Sequence, residues 1–240
     1  MILEEEIQKL TNKFQTSQIN VRREYFQHLF LSYFYQQPKA ANIFFKGGTA
    51  LRLLYQSPRF SEDLDFNSTP IDYREIEGLL EDTLAQIEKE NIKFNLKEAT
   101  QTSGGFLVII SFEAFEQPID IRLEISLRKG EKKGEVMGIT NSEYVPPYNI
   151  IALPQEQLVA EKMKALLSRK KPRDFYDLYF ILRSRMLPPK KKAVLPEVLE
   201  KLQKRDIHFE RELKAFLPKT HWAILRDFPT TLRREIERNM

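Results

Sequence analysis

The chain has no cysteine. That excludes disulfides, thiol nucleophiles and every zinc or iron–sulfur centre that needs thiolate ligands. Histidine is nearly as scarce. Three residues, His28, His208 and His221, are scattered with no metal-ligand spacing. A metal centre here must be built from oxygen donors, which suit Mg²⁺ or Mn²⁺. No apolar run approaches the roughly 20 residues of a membrane-spanning helix. The opening "MILEEEIQKL" is acidic where a signal peptide would be basic and then apolar. The expectation is a cytoplasmic protein with no membrane segment. Glycine is also sparse, 8 residues in 240, so the adjacent pair Gly47-Gly48 calls for a reason.

What is present is an ordinary core and an uneven charge. At 42% hydrophobic and 30% charged the chain can bury a core and keep a solvated surface. The net charge of +4 hides an asymmetry. Residues 1–160 carry 17 Lys and Arg against 23 Asp and Glu, whereas residues 161–240 carry 21 against 11. The basic part includes Arg169-Lys170-Lys171, Arg183, Arg185 and Lys190-Lys191-Lys192. A basic segment on an acidic body suits a polyanionic partner, and equally a well-solvated helical surface.

Hydrophobic periodicity predicts a helix over residues 1–37, ended by Pro38. A short apolar strand "NIFF" follows, then Lys46-Gly47-Gly48-Thr49, then a helix "ALRLLYQ" closed by Ser57-Pro58. "SEDLDFN" alternates as a half-buried strand, 72–91 reads as helix, and "KFNLKEAT", "GFLVIISFEA" and "IDIRLEISLR" read as strands. Residues 130–153 carry Gly130, Gly134, Gly138 and Pro146-Pro147 and read as irregular. Beyond them the pattern is helical, with a break at "MLPPKKK" and two or three further helices. The expected class is α+β with a mixed sheet over residues 1–150, and a helical lobe over 151–240.

A Gly-Gly turn between strand and helix permits torsions other residues resist and lets a ligand approach the backbone. The helix start then offers free N–H groups and partial positive charge, where a phosphate can sit. Thr49 can cap that helix and present its hydroxyl to a phosphate. The same residues also suit a plain tight turn with a threonine cap. The loop is neither GxxxxGK[ST] nor GxGxxG.

Two carboxylates follow at once. Asp63 and Asp65 flank Leu64, and on a strand residues i and i+2 share a face. Two like charges so close repel unless a cation lies between them, and a divalent ion with substrate phosphates is the natural partner. A solvated strand face is the plainer alternative. A third acid is available on "IRLEISLR": Glu124, with Asp120 of the same parity as its competitor. Two metal ions on three carboxylates would activate a hydroxyl and neutralise a leaving pyrophosphate.

Gly48-Thr49 followed by Asp63-Leu64-Asp65-Phe66, with a later acid on a strand, resembles the signature of the polymerase-β-type nucleotidyltransferase superfamily. "KGGTALR…RFSEDLDF" together with "LVAEKMKALLSRKKPRDFYDLYFIL" at 158–182 resembles its AbiEii/AbiGii toxin branch, found in toxin–antitoxin and phage-defence systems. The resemblance implies a two-lobed α/β enzyme that moves a nucleoside monophosphate from an NTP to an acceptor hydroxyl, with Mg²⁺ or Mn²⁺ as cofactor. It implies RNA, tRNA first, as acceptor, and a cognate antitoxin as partner. Transfer to a protein or small molecule, or a nucleotide-binding module without catalysis, are the alternatives. Asp63, Asp65 and Glu124 would hold metal. Lys46, Gly47, Gly48, Thr49, Arg52 and Ser61 would surround the nucleotide. Lys162 would contact the triphosphate, and Asp177 would position substrate or Lys162.

Read on their own terms, the C-terminal residues leave more than one role open. Lys162 sits at the edge of the apolar set Leu158, Val159, Met163, Leu166 and Leu167, where a lysine can neutralise phosphate or merely snorkel. Asp174 and Asp177 share a helix face. Asp174 also suits a helix cap after Pro172-Arg173, with Arg173 pairing to it, or both can join the nucleotide site.

Overall fold

The computed structural model describes residues 1–128, 133–169, 171–203 and 207–240; Gly130 and Lys170 lie outside them. Chain contacts define two compact units, Met1–Gln56 with Phe60–Leu153, and Ser57–Arg59 with Pro154–Met240.

The first unit begins with two helices where periodicity predicted one. Helix α1 (Glu4–Phe14) ends at Gln15, whose φ of 51° is left-handed, and α2 (Gln18–Phe34) restarts after an extended Ser17. The break falls at Thr16-Ser17, residue types that favour helix ends over helix interiors, although the Ser17 side chain makes no capping bond. Helix α1 buries only Ile7 and Leu10, which join Val21 of α2. Helix α2 is buried along most of its length and covers one face of the sheet. Its Phe26 stacks on Phe112 at 4.4 Å, and its Phe34 meets Phe66 at 5.6 Å.

The sheet is built from β1 (Ile43–Lys46), β2 (Asp63–Ser68), β3 (Phe94–Thr102), β4 (Gly105–Phe112), β5 (Ile119–Leu127), β6 (Glu135–Ile139) and β7 (Tyr148–Ala152), in the order β3-β4-β5-β2-β1-β7-β6. Helices α3 (Gly47–Tyr55) and α4 (Tyr73–Lys89) fall between β1 and β2 and between β2 and β3. The sheet is mixed: β2 runs parallel to β5 and β1 to β7, and the other neighbours are antiparallel. Residues 130–153, expected to be irregular, contain two strands. Their pairing is tertiary, since Phe45 of β1 stands beside Ala152 of β7. The glycines mask it, and Pro146-Pro147 lie between the strands, where no ladder donor is lost.

Along β5 the alternation is clean. Ile119, Ile121, Leu123 and Ile125 are buried on one face while Asp120, Arg122 and Glu124 stand on the other. That second face is the one that Asp63 and Asp65 of β2 share.

The second unit is helical: α5 (Gln155–Arg169), α6 (Pro172–Arg183), α7 (Leu195–Gln203), α8 (Phe209–Leu213), α9 (Trp222–Leu225) and α10 (Phe228–Asn239). Among the described residues, four helices follow the "MLPPKKK" break where two or three were expected. Phe228 fixes the packing, 4.9 Å from Phe209 and 5.8 Å from Tyr176. Lys190, Lys191 and Lys192 lie in a 3₁₀ turn, Pro189–Val194, on which nothing is buried. Among the described residues no helix is long and apolar enough to cross a membrane.

Candidate functional site

Strand β1 passes into α3 without a loop. Lys46 is the extended residue before the helix, and Gly47 and Gly48 are its first two residues. Gly47 has a φ of +84°, and a Cβ built on it would fall 2.0 Å from Oδ2 of Asp65. The glycine is therefore required twice: for its left-handed backbone and because Asp65 already fills the side-chain position. The carboxylate lies against the first turn of α3, where unsatisfied N–H groups and the helix dipole favour negative charge.

Thr49 is placed differently from the sequence expectation. It is the third helical residue, not the cap, and is fully buried. Its hydroxyl donates to the carbonyl oxygen of Asp63 at 2.5 Å. It thus ties α3 to the start of β2.

Asp63 and Asp65 stand half-exposed on one face of β2, with Leu64 and Phe66 buried beneath. In the parallel β2–β5 register Asp63 pairs with Arg122 and Asp65 with Glu124. Residues so paired share a face, with strands about 4.8 Å apart. Lys46 stands opposite Asp65 in the β1–β2 register. This separates the two candidates for the third acid. Glu124 lies directly beside Asp65, whereas Asp120 falls beyond the β2 pairing and is held by Lys97 at 2.8 Å.

All three carboxylates supply hard oxygen donors, the chemistry that Mg²⁺ or Mn²⁺ takes. Among the described residues, no three such side chains are drawn together closely enough to enclose a metal ion. Glu124 is engaged instead by Arg122, at 2.7 Å.

Residues around this core are held by a buried polar layer. Arg52 forks onto Glu24, with Nε–Oε2 2.6 Å and Nη2–Oε1 3.1 Å, and its guanidinium lies 3.7 Å from the centre of the Phe60 ring. The Tyr144 hydroxyl donates to the same carboxylate at 3.2 Å. Arg52, expected among the nucleotide ligands, ties α3 to α2 through this pair. His28 lies in the same layer, 2.9 Å from the Tyr148 hydroxyl, and burial pushes its pKa down to about 4. Ser61 precedes β2. The Gln27 amide donates to its carbonyl oxygen at 3.0 Å and to that of Glu62 at 3.1 Å. Gln27 went unnoticed in the sequence because nothing local marks it. It is a 1%-exposed amide on a helix of aromatic residues, and its partners lie more than thirty residues away.

In the second unit Asp177 is fully buried between two cations. Arg59 grips it through Nε–Oδ1 at 2.8 Å and Nη2–Oδ2 at 3.0 Å, and Lys162 Nζ donates to Oδ2 at 2.7 Å. Burial alone would raise the Asp177 pKa, but Arg59 first and Lys162 second hold it down at about 2. Sequence reasoning passed over Arg59. Its only signal is a lone arginine in the apolar-flanked "SPRF", and its partner is 118 residues away. Asp174 closes the start of α6. It is 2% exposed, accepts from the Lys171 N–H at 3.2 Å and takes a 2.7 Å bond from Arg169. Arg173 does not pair with it but reaches Glu212 at 3.4 Å. Asp174 thus satisfies the start of α6 and pairs with Arg169.

Residues 29–238 match the family model described as nucleotidyl transferase AbiEii toxin, type IV TA system. No curated protein matches the chain. Among solved structures it is similar to JHP933 from Helicobacter pylori, at 20% identity and TM-score 0.68, covering 93% of each chain. A putative nucleotidyltransferase from H. pylori is similar at 20% identity and TM-score 0.61, covering 93% of this chain and 99% of that one. MenT4, a nucleotidyltransferase toxin from Mycobacterium tuberculosis, aligns at 14% identity and TM-score 0.64 over 100% of this chain and 98% of its own.

Proposed function

The chain belongs to the AbiEii nucleotidyltransferase toxin family of type IV toxin–antitoxin systems, and on that premise we propose that it transfers a nucleoside monophosphate from an NTP to an RNA hydroxyl, with tRNA 3′ ends the first candidate. The observation that carries this reading is the packing of the Asp65 carboxylate on Gly47 at the first turn of α3, with Asp63 and Glu124 on the same sheet face. That arrangement juxtaposes an anion-binding helix start and a cation-binding carboxylate set.

Asp63 and Asp65, with Glu124, are assigned to hold Mg²⁺ or Mn²⁺. Bound there, the ion would supply charge neutralisation to the triphosphate and would lower the pKa of the attacking hydroxyl. The chain's own residues do the rest. The α3 N-terminus, opened by Gly47 and Gly48, accepts phosphate oxygens on its N–H groups. Thr49 and Gln27 keep β2 and its approach loop in register with that turn, so that Asp63 and Asp65 keep their spacing. The acceptor oxygen gives up its proton to water and bonds to the α-phosphorus, the bond from that phosphorus to the α–β bridging oxygen breaks, and pyrophosphate leaves with the electron pair. Lys162, held by Asp177, is assigned to the anionic substrate, and the lysines of the Pro189–Val194 turn to the RNA backbone. The reading places the protein in the cytoplasm, with a cognate antitoxin as its partner and phage defence as its setting.

The test is incubation with each α-labelled NTP, Mg²⁺ and either total RNA or purified protein. Label in RNA is the expected result. Label in protein alone, or in neither, refutes RNA as acceptor.

A further inference from the structure

The face that bears the three acids carries two cations, Lys46 opposite Asp65 and Arg122. Arg122 stands on β5 two residues before Glu124, on the same face, and opposite Asp63 in the β2–β5 register. Its Nη2 lies 2.7 Å from Glu124 Oε1. We propose that Arg122 is a resident counter-ion: it holds the third carboxylate in the metal-free protein and yields it when the divalent cation binds. The inference rests on the metal-site reading above.

Three observations carry it. The first is register. Lys97 and Asp120 form a comparable pair with the same strand, but beyond the end of the β2 pairing. Of these two pairs, only Arg122–Glu124 lies level with Asp63 and Asp65. The second is charge. Three carboxylates on neighbouring positions of two strands repel; Lys46 stands opposite Asp65 on β1, and the Arg122 guanidinium, on the Glu124 side, relieves a further part of that repulsion. The third is exposure. Arg122 and Glu124 are 48% and 45% exposed, so the pair is weak and water can take up the released guanidinium. A buried pair such as Arg59–Asp177, at 3% and 1% exposed, could not exchange in this way. The opposing residues on β4, Ile109 and Leu107, are apolar and offer Arg122 no other anion.

The experiment is a Mn²⁺ titration of the full chain, following the free-ion signal by electron paramagnetic resonance and the Mn²⁺-induced rise in Tm, without nucleotide. Arg122→Gln is expected to bind Mn²⁺ about two- to fivefold tighter than wild type at low salt, the fold-change of an exposed ion pair, with the gap closing at high salt. Arg122→Lys, which keeps the charge, stays near wild type, and Glu124→Gln binds more weakly. The decisive comparison is Arg122→Gln in the Glu124→Gln background, where the gain should vanish. An equal gain there would mean that Arg122 acts only through its long-range field, and would overturn the exchange. So would unchanged or weaker binding by Arg122→Gln, provided that Asp63→Asn and Asp65→Asn abolish uptake. No Mn²⁺ uptake by the wild-type chain would overturn the metal reading itself.

Discussion

Replacing Gly47 with alanine tests the relation on which the site depends. The backbone there has a φ of +84°, and holding a residue with a Cβ in a left-handed conformation costs about 1–2 kcal/mol. The new Cβ also lands 2.0 Å from Asp65 Oδ2 and 2.8 Å from both Cβ and Cγ of Asp65. Rotating the carboxylate off its place at the helix start relieves the Oδ2 contact but forfeits that position, and it leaves the contact with Cβ. Strand β2 must shift against α3, an overpacking cost of about 1–3 kcal/mol. The summed loss is about 2–5 kcal/mol, measurable as a lower urea midpoint. Gly78 is the control, since a Cβ there meets nothing within 4 Å inside α4. Gly78→Ala should stabilise by roughly 0.5–1 kcal/mol. The mechanism is isolated by repeating Gly47→Ala in an Asp65→Ala background. The carboxylate is then absent and only the Asp65 Cβ position remains close, so the cost should fall by about 1 kcal/mol or more while the backbone strain persists. Transfer activity should drop about a hundredfold in the single variant, because the carboxylate moves by about an ångström. A neutral Gly47→Ala, or an equal cost with and without the Asp65 carboxylate, would refute the reasoning.

Asp63→Asn and Asp65→Asn should each lower transfer at least about a hundredfold with far-UV circular dichroism and Tm close to wild type. A variant that keeps near-normal turnover removes that residue from the metal set. His28 has a pKa lowered from 6.5 to about 4. Below pH 6.5 the unfolded chain therefore takes up the proton first, and stability falls by up to roughly 3 kcal/mol as pH drops to about 4. His28→Gln should flatten that slope in urea melts between pH 4 and 6.5, and an unchanged slope assigns it elsewhere. Neutralising Lys190, Lys191 and Lys192 together should reduce the steepness of RNA binding against salt, by about 0.7–0.9 in log–log slope for each phosphate no longer neutralised. NTP affinity should be unaffected, and an unaltered slope removes this turn from the RNA surface.

The sequence made some of this site legible because its signals are local. Alternation alone puts Asp63 and Asp65 on one face, since Leu64 and Phe66 must be buried, and the same parity selects Asp120, Arg122 and Glu124. Choosing between Asp120 and Glu124 needs the β2–β5 register, which no local pattern encodes. The Gly-Gly pair was recognisable as a place of close approach, but the group that approaches Gly47 is the protein's own Asp65. Thr49 was misplaced because the helix starts three positions earlier than expected: with Lys46 outside the helix and Gly47 already in it, the threonine is buried. Asp174 and Asp177 look alike in "RDFYD", yet one caps a helix and the other is buried on Arg59 and Lys162. Strands β6 and β7 went unread because β7's pairing with β1 spans more than a hundred residues.

The mixed character of the sheet is itself a condition of the site. Strands β1 and β2 are antiparallel, so the end of β1 and the start of β2 meet at one edge, with Lys46 opposite Asp65. A two-residue hairpin would also join them, but it would put a turn there. The chain instead leaves β1 directly as α3, so the edge receives a helix N-terminus with its free N–H groups. Strand β5 then runs parallel to β2, which requires a long crossover, here residues 69–118 through α4, β3 and β4. That crossover sets Arg122 and Glu124 level with the two aspartates. A helix start and a set of carboxylates thus share one edge because a strand end, a strand start and a helix start coincide there. The coincidence is held from behind, where Arg52 of α3 is locked to Glu24 of α2 and the Thr49 hydroxyl is locked to β2. A residue far from any substrate, Glu24, is therefore part of what keeps Gly47 against Asp65.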